Sequence, residues 1–192
     1  MTGVRVTMVT GAATLLLAAA PQGPQRAALD ALNARLLAGP TATLALGKWC
    51  AEHGVDAPVR AEIVPGGLHF ATLEQRARLK VGPNEPLGYR RVRLSCGGHV
   101  LSEAENWYIP SRLTAAMNQA LDTSDTPFGA VIAPLKPSRR NLGAELLWQG
   151  EGEAPEGVLR HRALVLDGTG RPLAEVVETY KRSALEIGGA TD

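Results

Sequence analysis

The end of the chain constrains the fold most. Val158–Leu166 and Leu173–Lys181 are two strand-like runs flanking Asp167-Gly168-Thr169-Gly170. Those four residues favour turns with positive φ, so the two runs are expected to close on each other as an antiparallel hairpin. A second pair stands upstream. Tyr89–Cys96 and Val100–Ile109 flank Gly97-Gly98-His99, and Gly-Gly between two such runs is again a hairpin signal. From Pro58 the period is two, with Val59, Ala61 and Ile63 against Arg60 and Glu62, which reads as a further strand. A chain with two hairpins must build an antiparallel sheet.

Helical spacing appears mainly in the first third. Leucines at 29, 32 and 36 fall on one side of residues 26–38, and Gly39-Pro40 stops that helix. A second helix is expected from a cap at Thr41 or Thr43 to His53, ended by Gly54. A short charged helix or turn follows at 72–80. A third helix is expected from about Arg112 to Leu121 behind Pro110-Ser111. Asp122–Gly129 reads as a polar loop and Ala130–Ala133 as a strand. Residues 135–157 are rich in Pro, Gly and Glu, with a strand expected at Leu142–Trp148. The sum is an α+β domain with an antiparallel sheet of about six strands and helices on one face.

Length allows one domain with a sizeable core, and 192 residues are short for two. Twenty basic against 19 acidic residues give a formal charge of +1. That balance offers no global attraction for nucleic acid or an anionic membrane, and neither is an expected partner. No stretch of 18 or more apolar residues runs free of breakers, so no stable membrane span is expected in the mature protein. The start is different in kind. One charge at Arg5, a small apolar run over Val6–Ala20 and a break at Pro21-Gln22-Gly23-Pro24 have the pattern of a secretory signal. Residues 1–25 are therefore expected to be a signal peptide and 26–185 the domain. The location is then periplasmic or exported, and cytoplasmic if the N-terminus is not a signal.

The chemistry is sparse. Cys50 and Cys96 sit in no metal-ligand spacing, and His53, His69, His99 and His161 are scattered singly. No metal or cofactor is expected. The cysteines are two buried thiols or, in an oxidising compartment, a disulfide. Nucleophile elbow, phosphate loop and dinucleotide fingerprint are missing. Arginines on strands stand out instead. Arg90, Arg91 and Arg93 lie on one, Arg160 and Arg162 on another, and Arg139-Arg140 follow a Pro-Ser turn. Residues i and i+2 share a strand face, so Arg91 and Arg93 point together while Val92 and Leu94 point the other way. Guanidinium forks match carboxylates, so a cleft holding two or three of them suits a small organic dianion. Glu175 and Glu178 are an odd step apart and face opposite sides, so at most one is inward.

The order of short motifs resembles the chorismate lyase (4-hydroxybenzoate synthase) family. It runs Tyr89-Arg90-Arg91-Val92-Arg93-Leu94-Ser95-Cys96, Tyr108-Ile109-Pro110, Thr126-Pro127-Phe128-Gly129, Ser138-Arg139-Arg140 and Gly170-Arg171-Pro172-Leu173, over about residues 31–181. More distantly the chain is similar to ligand-sensing domains of some transcription regulators. The resemblance implies a chorismate lyase-like fold and a cofactor-free elimination of pyruvate from chorismate. It implies Arg91 as the carboxylate clamp, counted without gaps from Pro110. Arg140 would assist. Pro127-Phe128-Gly129 would line the pocket, with Phe128 in place of the family leucine. Thr41-Ala42-Thr43 would lid it. The family glutamate falls at Val177 without gaps and at Glu178 with one inserted residue. Glu178 is preferred, since valine accepts no proton.

Two functions follow. The first is a chorismate pyruvate-lyase with Arg91 and Glu178 as its working residues. An exported lyase would not meet chorismate, an intracellular metabolite. The second is therefore an exported, non-catalytic binding domain for a small aromatic or carboxylate ligand. Either is expected to work as a monomer on a small carboxylate.

Overall fold

The computed structural model describes residues 23–187, so most of the expected signal, residues 1–22, lies outside the described residues. Pro24 and Gln25 already belong to the first helix.

That helix, α1 (Pro24–Ala38), starts with Pro at its first position, where no amide hydrogen bond is lost. Leu29, Leu32 and Leu36 are fully buried along it. α2 (Ala42–Glu52) is capped by Thr41, whose hydroxyl accepts from the Leu44 amide. β1 (Arg60–Ile63) follows, then α3 (Leu73–Leu79), which opens on a capping box of Thr72 and Gln75. β2 (Gly88–Cys96) and β3 (His99–Tyr108) turn on Gly97 and Gly98, both at positive φ.

Two expectations fail in the next stretch. The helix foreseen from Arg112 begins later, as α4 (Ala115–Thr123), because Pro110–Arg112 forms a 3-10 turn and Thr114 is the cap. The strand foreseen at Ala130–Ala133 is instead a short helix, α5 (Phe128–Val131), and a second 3-10 turn at Ala133–Leu135. Phe128, Val131 and Ile132 follow helical spacing and are buried against Leu121 and Val165, so one side of the segment satisfies the core. β4 (Ser138–Leu146) starts four residues before the strand expected at Leu142. β5 (Gly157–Leu166) and β6 (Pro172–Lys181) form the closing hairpin.

All six strands pair antiparallel in the order β1-β2-β3-β6-β5-β4. The inner face carries Val92, Leu94, Ala104, Ala163, Val165, Val176 and Tyr180 and is covered by α1, α2, α4 and α5. The short α3 departs from the one-faced plan: Leu79 packs with Trp107 and Leu164 on the outer face. There Glu175, fully buried, takes two bonds from Arg78 at 2.7 and 2.9 Å. Cys50 at the end of α2 and Cys96 at the end of β2 form a disulfide, which decides between the two states left open above. No helix among the described residues is long and apolar enough to cross a membrane.

Candidate functional site

The inner face does not close completely under the start of α2. A small cavity of about 30 Å³ lies there, lined by Thr41, Ala42 and Thr43, by Phe128 and Gly129, and by Asn106, Arg139 and Glu178 from the sheet. Its remaining wall is apolar: Val92, Leu94, Ala104, Val165 and Val176. Gly129 makes the closure. A Cβ there would stand 2.8 Å from Thr43 Oγ1 and 3.0 Å from Thr41 Cβ, so only glycine lets α5 meet the cap of α2 this closely.

The floor is polar and buried. Arg139 Nη2 donates to Glu178 Oε2 at 2.6 Å, with the side chains 2% and 6% exposed. Burial disfavours the guanidinium charge, but Glu178 more than offsets this and raises the Arg139 pKa. Tyr180 donates to the same oxygen at 3.0 Å. Burial and then Glu178 hold the Tyr180 phenol well above its ordinary range, so it stays a donor. Oε1 of Glu178 takes no bond from the described residues. The Asn106 amide, 4% exposed, also lines the cavity. Beneath lies His161, fully buried, with Nε2 against Asn33 Oδ1 at 2.8 Å and its ring edge-on to Tyr180.

Of the residues singled out in sequence, Thr41, Ala42, Phe128, Gly129 and Glu178 are together in this cavity. Arg91 and Arg140 are not. Arg91 stands on the outer side of β2 and bonds Glu103 at 2.9 Å, because Val92 and Leu94 take the inner face. Its inward neighbour is Arg90, 5% exposed, which donates to the carbonyls of Ser124 and Thr126 and so anchors the loop before α5. Both arginines border a second groove of about 340 Å³, with Tyr108 and Leu121, at the β1 end of the sheet. Arg140 is exposed on β4, and the inward arginine is Arg139. At both places the inward arginine is the preceding one, Arg90 on β2 and Arg139 on β4, and of these Arg139 reaches the cavity. Asn106 was missed, although its place between Ala104 and Tyr108 puts it on the inner face. Among the described residues no group of three or more His, Cys, Asp or Glu could hold a metal ion.

The chain is 41% identical over 181 residues to the uncharacterized protein y4mC of Sinorhizobium fredii, covering 84% of this chain and 76% of that protein. None of the protein-family models matches the chain. Its fold is similar to the effector domain of PhnF from Mycobacterium smegmatis, at a TM-score of 0.52 and 12% identity, over 74% of this chain and 88% of that one. Against PhnF itself the TM-score is 0.53 at 14% identity, over 76% of this chain. The chain spans 65% of the length of that PhnF chain. At such identities the likeness is one of fold, here the α+β, chorismate lyase-like fold.

Proposed function

The chain belongs to the family of the uncharacterized protein y4mC of Sinorhizobium fredii, and on that premise we propose that it is a non-catalytic binding domain for a small, uncharged aromatic ligand. The observation that carries this is the charge balance of the cavity. Among the described residues it holds one guanidinium, Arg139, and that charge is already met by Glu178. Chorismate carries two carboxylates, and a lyase on it needs cations to spare. Arg91 and Arg140, the two expected to supply them, lie outside. Bringing a dianion against Glu178 in this buried setting would cost far more than one shared arginine returns.

What the cavity offers instead suits recognition. Its walls are apolar, and its free polar groups are few: the Asn106 amide, the Thr43 hydroxyl and Glu178 Oε1. A ring with one polar end fits that pattern. The volume of about 30 Å³ holds little more than water. A ligand therefore enters only as the Thr41–Thr43 end of α2 parts from Phe128 and Gly129. The fold likeness to an effector domain agrees with binding without turnover.

We place the work outside the cytoplasm. The Cys50–Cys96 disulfide supports this, since such bonds persist in oxidising compartments. N-terminal sequencing of mature protein from its native host tests it: a chain that starts after the apolar run is expected, and an intact Met1 would overturn it.

Mixing the purified chain with chorismate tests the binding reading. No 4-hydroxybenzoate absorbance should develop, while phenol, an uncharged ring with one polar end, should raise the melting temperature. Glu178→Gln and Arg139→Met should each weaken that rise. Steady turnover of chorismate would sink the non-catalytic reading.

A further inference from the structure

The two edges of the sheet are treated differently. β1 is four residues long, and the loop at Asp125 covers it: the Asp125 carbonyl accepts from Ala61 N at 2.7 Å and its carboxylate pairs with Arg60. Among the described residues β4, nine residues long, is paired on one side only, with β5. Ser138 and Arg140–Glu145 are exposed along it. It has no lysine, no proline and no covering segment among the described residues, and of the usual devices that keep a bare edge single it carries only the bulge at Leu142 and its few charges.

The free edge is also self-complementary. Arg140 pairs across β5 with Leu164, and Glu145 with Arg160, so both point to the outer face although they are an odd number of residues apart. The ladder shift between Asn141 and Gly143 supplies the extra residue, Leu142, which is 37% exposed. With Leu142 set off the ladder, Arg140 and Glu145 stand two steps to either side of Gly143. Arg140 makes no ion pair with any described residue. Glu145 makes only a loose one with Arg160, at 3.5 Å on the surface. At Gly143 nothing lies within 4 Å of where a Cβ would be, so no side chain stands over the sheet face there.

We propose that two copies of the chain pair antiparallel along β4, about a two-fold axis through Gly143, into one continuous sheet. The axis is perpendicular to the sheet and preserves its faces, so Arg140 of each copy meets Glu145 of the other on the outer side. Two opposite-charge cross-strand pairs result, and Leu142 of each copy lies beside the axis. The inner side of the same strand carries Arg139, so the interface braces the strand that floors the cavity. The pairing itself stands whether or not the ligand reading holds.

Light scattering and sedimentation velocity on the full chain read this directly, with circular dichroism to verify folding of each variant. The mass of two chains is expected. Arg140→Glu and Glu145→Arg each set like charges opposite, twice per interface, and should weaken the dimer by about tenfold or more. The double variant R140E/E145R restores opposite pairs and should bring the dimer back. A single-chain mass at the highest soluble concentration overturns the proposal. So does a two-chain mass that ignores both single swaps, since the interface then lies elsewhere.

Discussion

His161 is fully buried between α1 and the floor of the cavity, close to an ion pair. Burial first, then the nearby Arg139 charge, pulls its pKa down to about 4, while Glu178 pulls the other way. Tyr180, edge-on to the ring, is neutral and does not alter the sign. In the unfolded chain the imidazole titrates near 6.5. Between these values the unfolded state holds the proton and the folded state does not, so acid favours unfolding. Stability is full above pH 6.5 and falls by up to about 3 kcal/mol as pH drops toward 4. Urea midpoints at pH 7.5 and 4.5 measure this, and His161→Gln should flatten the difference. An equal drop in the variant would assign the acid sensitivity to other groups. The same scale shows what the sequence held and what it hid. The alternation Val92, Leu94 against Arg91, Arg93 was legible, and an apolar face is the inner face, so Arg90 could have been placed inward. Motif counting pointed to Arg91 instead. Ser138-Arg139-Arg140-Asn141 has no apolar alternation to choose between its arginines, so only the pairing with β5 fixes Arg139 as inward.

At the level of elements, hairpins declared themselves and short helices did not. Gly97-Gly98 and Asp167–Gly170 name their turns because positive φ is costly for other residues, and the strands around them follow. The strand expected at Ala130–Ala133 is helical instead, because four to eight apolar residues carry no period long enough to tell helix from strand. The contact that decides it is distant in sequence: α5 is seated against α2, eighty-odd residues earlier, at Gly129. That contact is testable. Gly129→Ala drives a methyl to 2.8 Å from Thr43 Oγ1 and 3.0 Å from Thr41 Cβ. Overpacking of this kind costs about 1–3 kcal/mol. A lowered melting temperature is expected, and adding Thr43→Ala should recover part of it by removing the nearer atom. Unchanged stability in Gly129→Ala would mean that α5 and α2 are not held this closely.

The molecule as a whole is one sheet with unequal faces and a layer of helices fastened at one end. The inner face has the larger apolar clusters, and the outer face is covered in part by α3 through Leu79 and the Arg78–Glu175 pair. α2 crosses from the cavity at Thr41 to Cys50, where the disulfide ties it to the far end of β2. So the helix is pinned at its C-terminal end and held by packing alone at the end that walls the cavity. The opening that the proposed ligand requires belongs at that second end. The bond spans 46 residues of sequence, and in the chain-entropy account a loop of that length stabilises the fold by about 4 kcal/mol. With two cysteines the partner follows from the count, but whether they meet is not legible from spacing, since the contact depends on how α2 packs over the sheet. Both are sealed, at 0% and 1% exposure, so reductant acts only on the opened chain. The comparison is therefore between protein refolded with and without reductant. The reduced form should unfold at distinctly lower urea, with the slope of the transition steeper because its unfolded state is less compact. Equal midpoints would remove the staple from the account of stability, and with it the physical reason for an oxidising home.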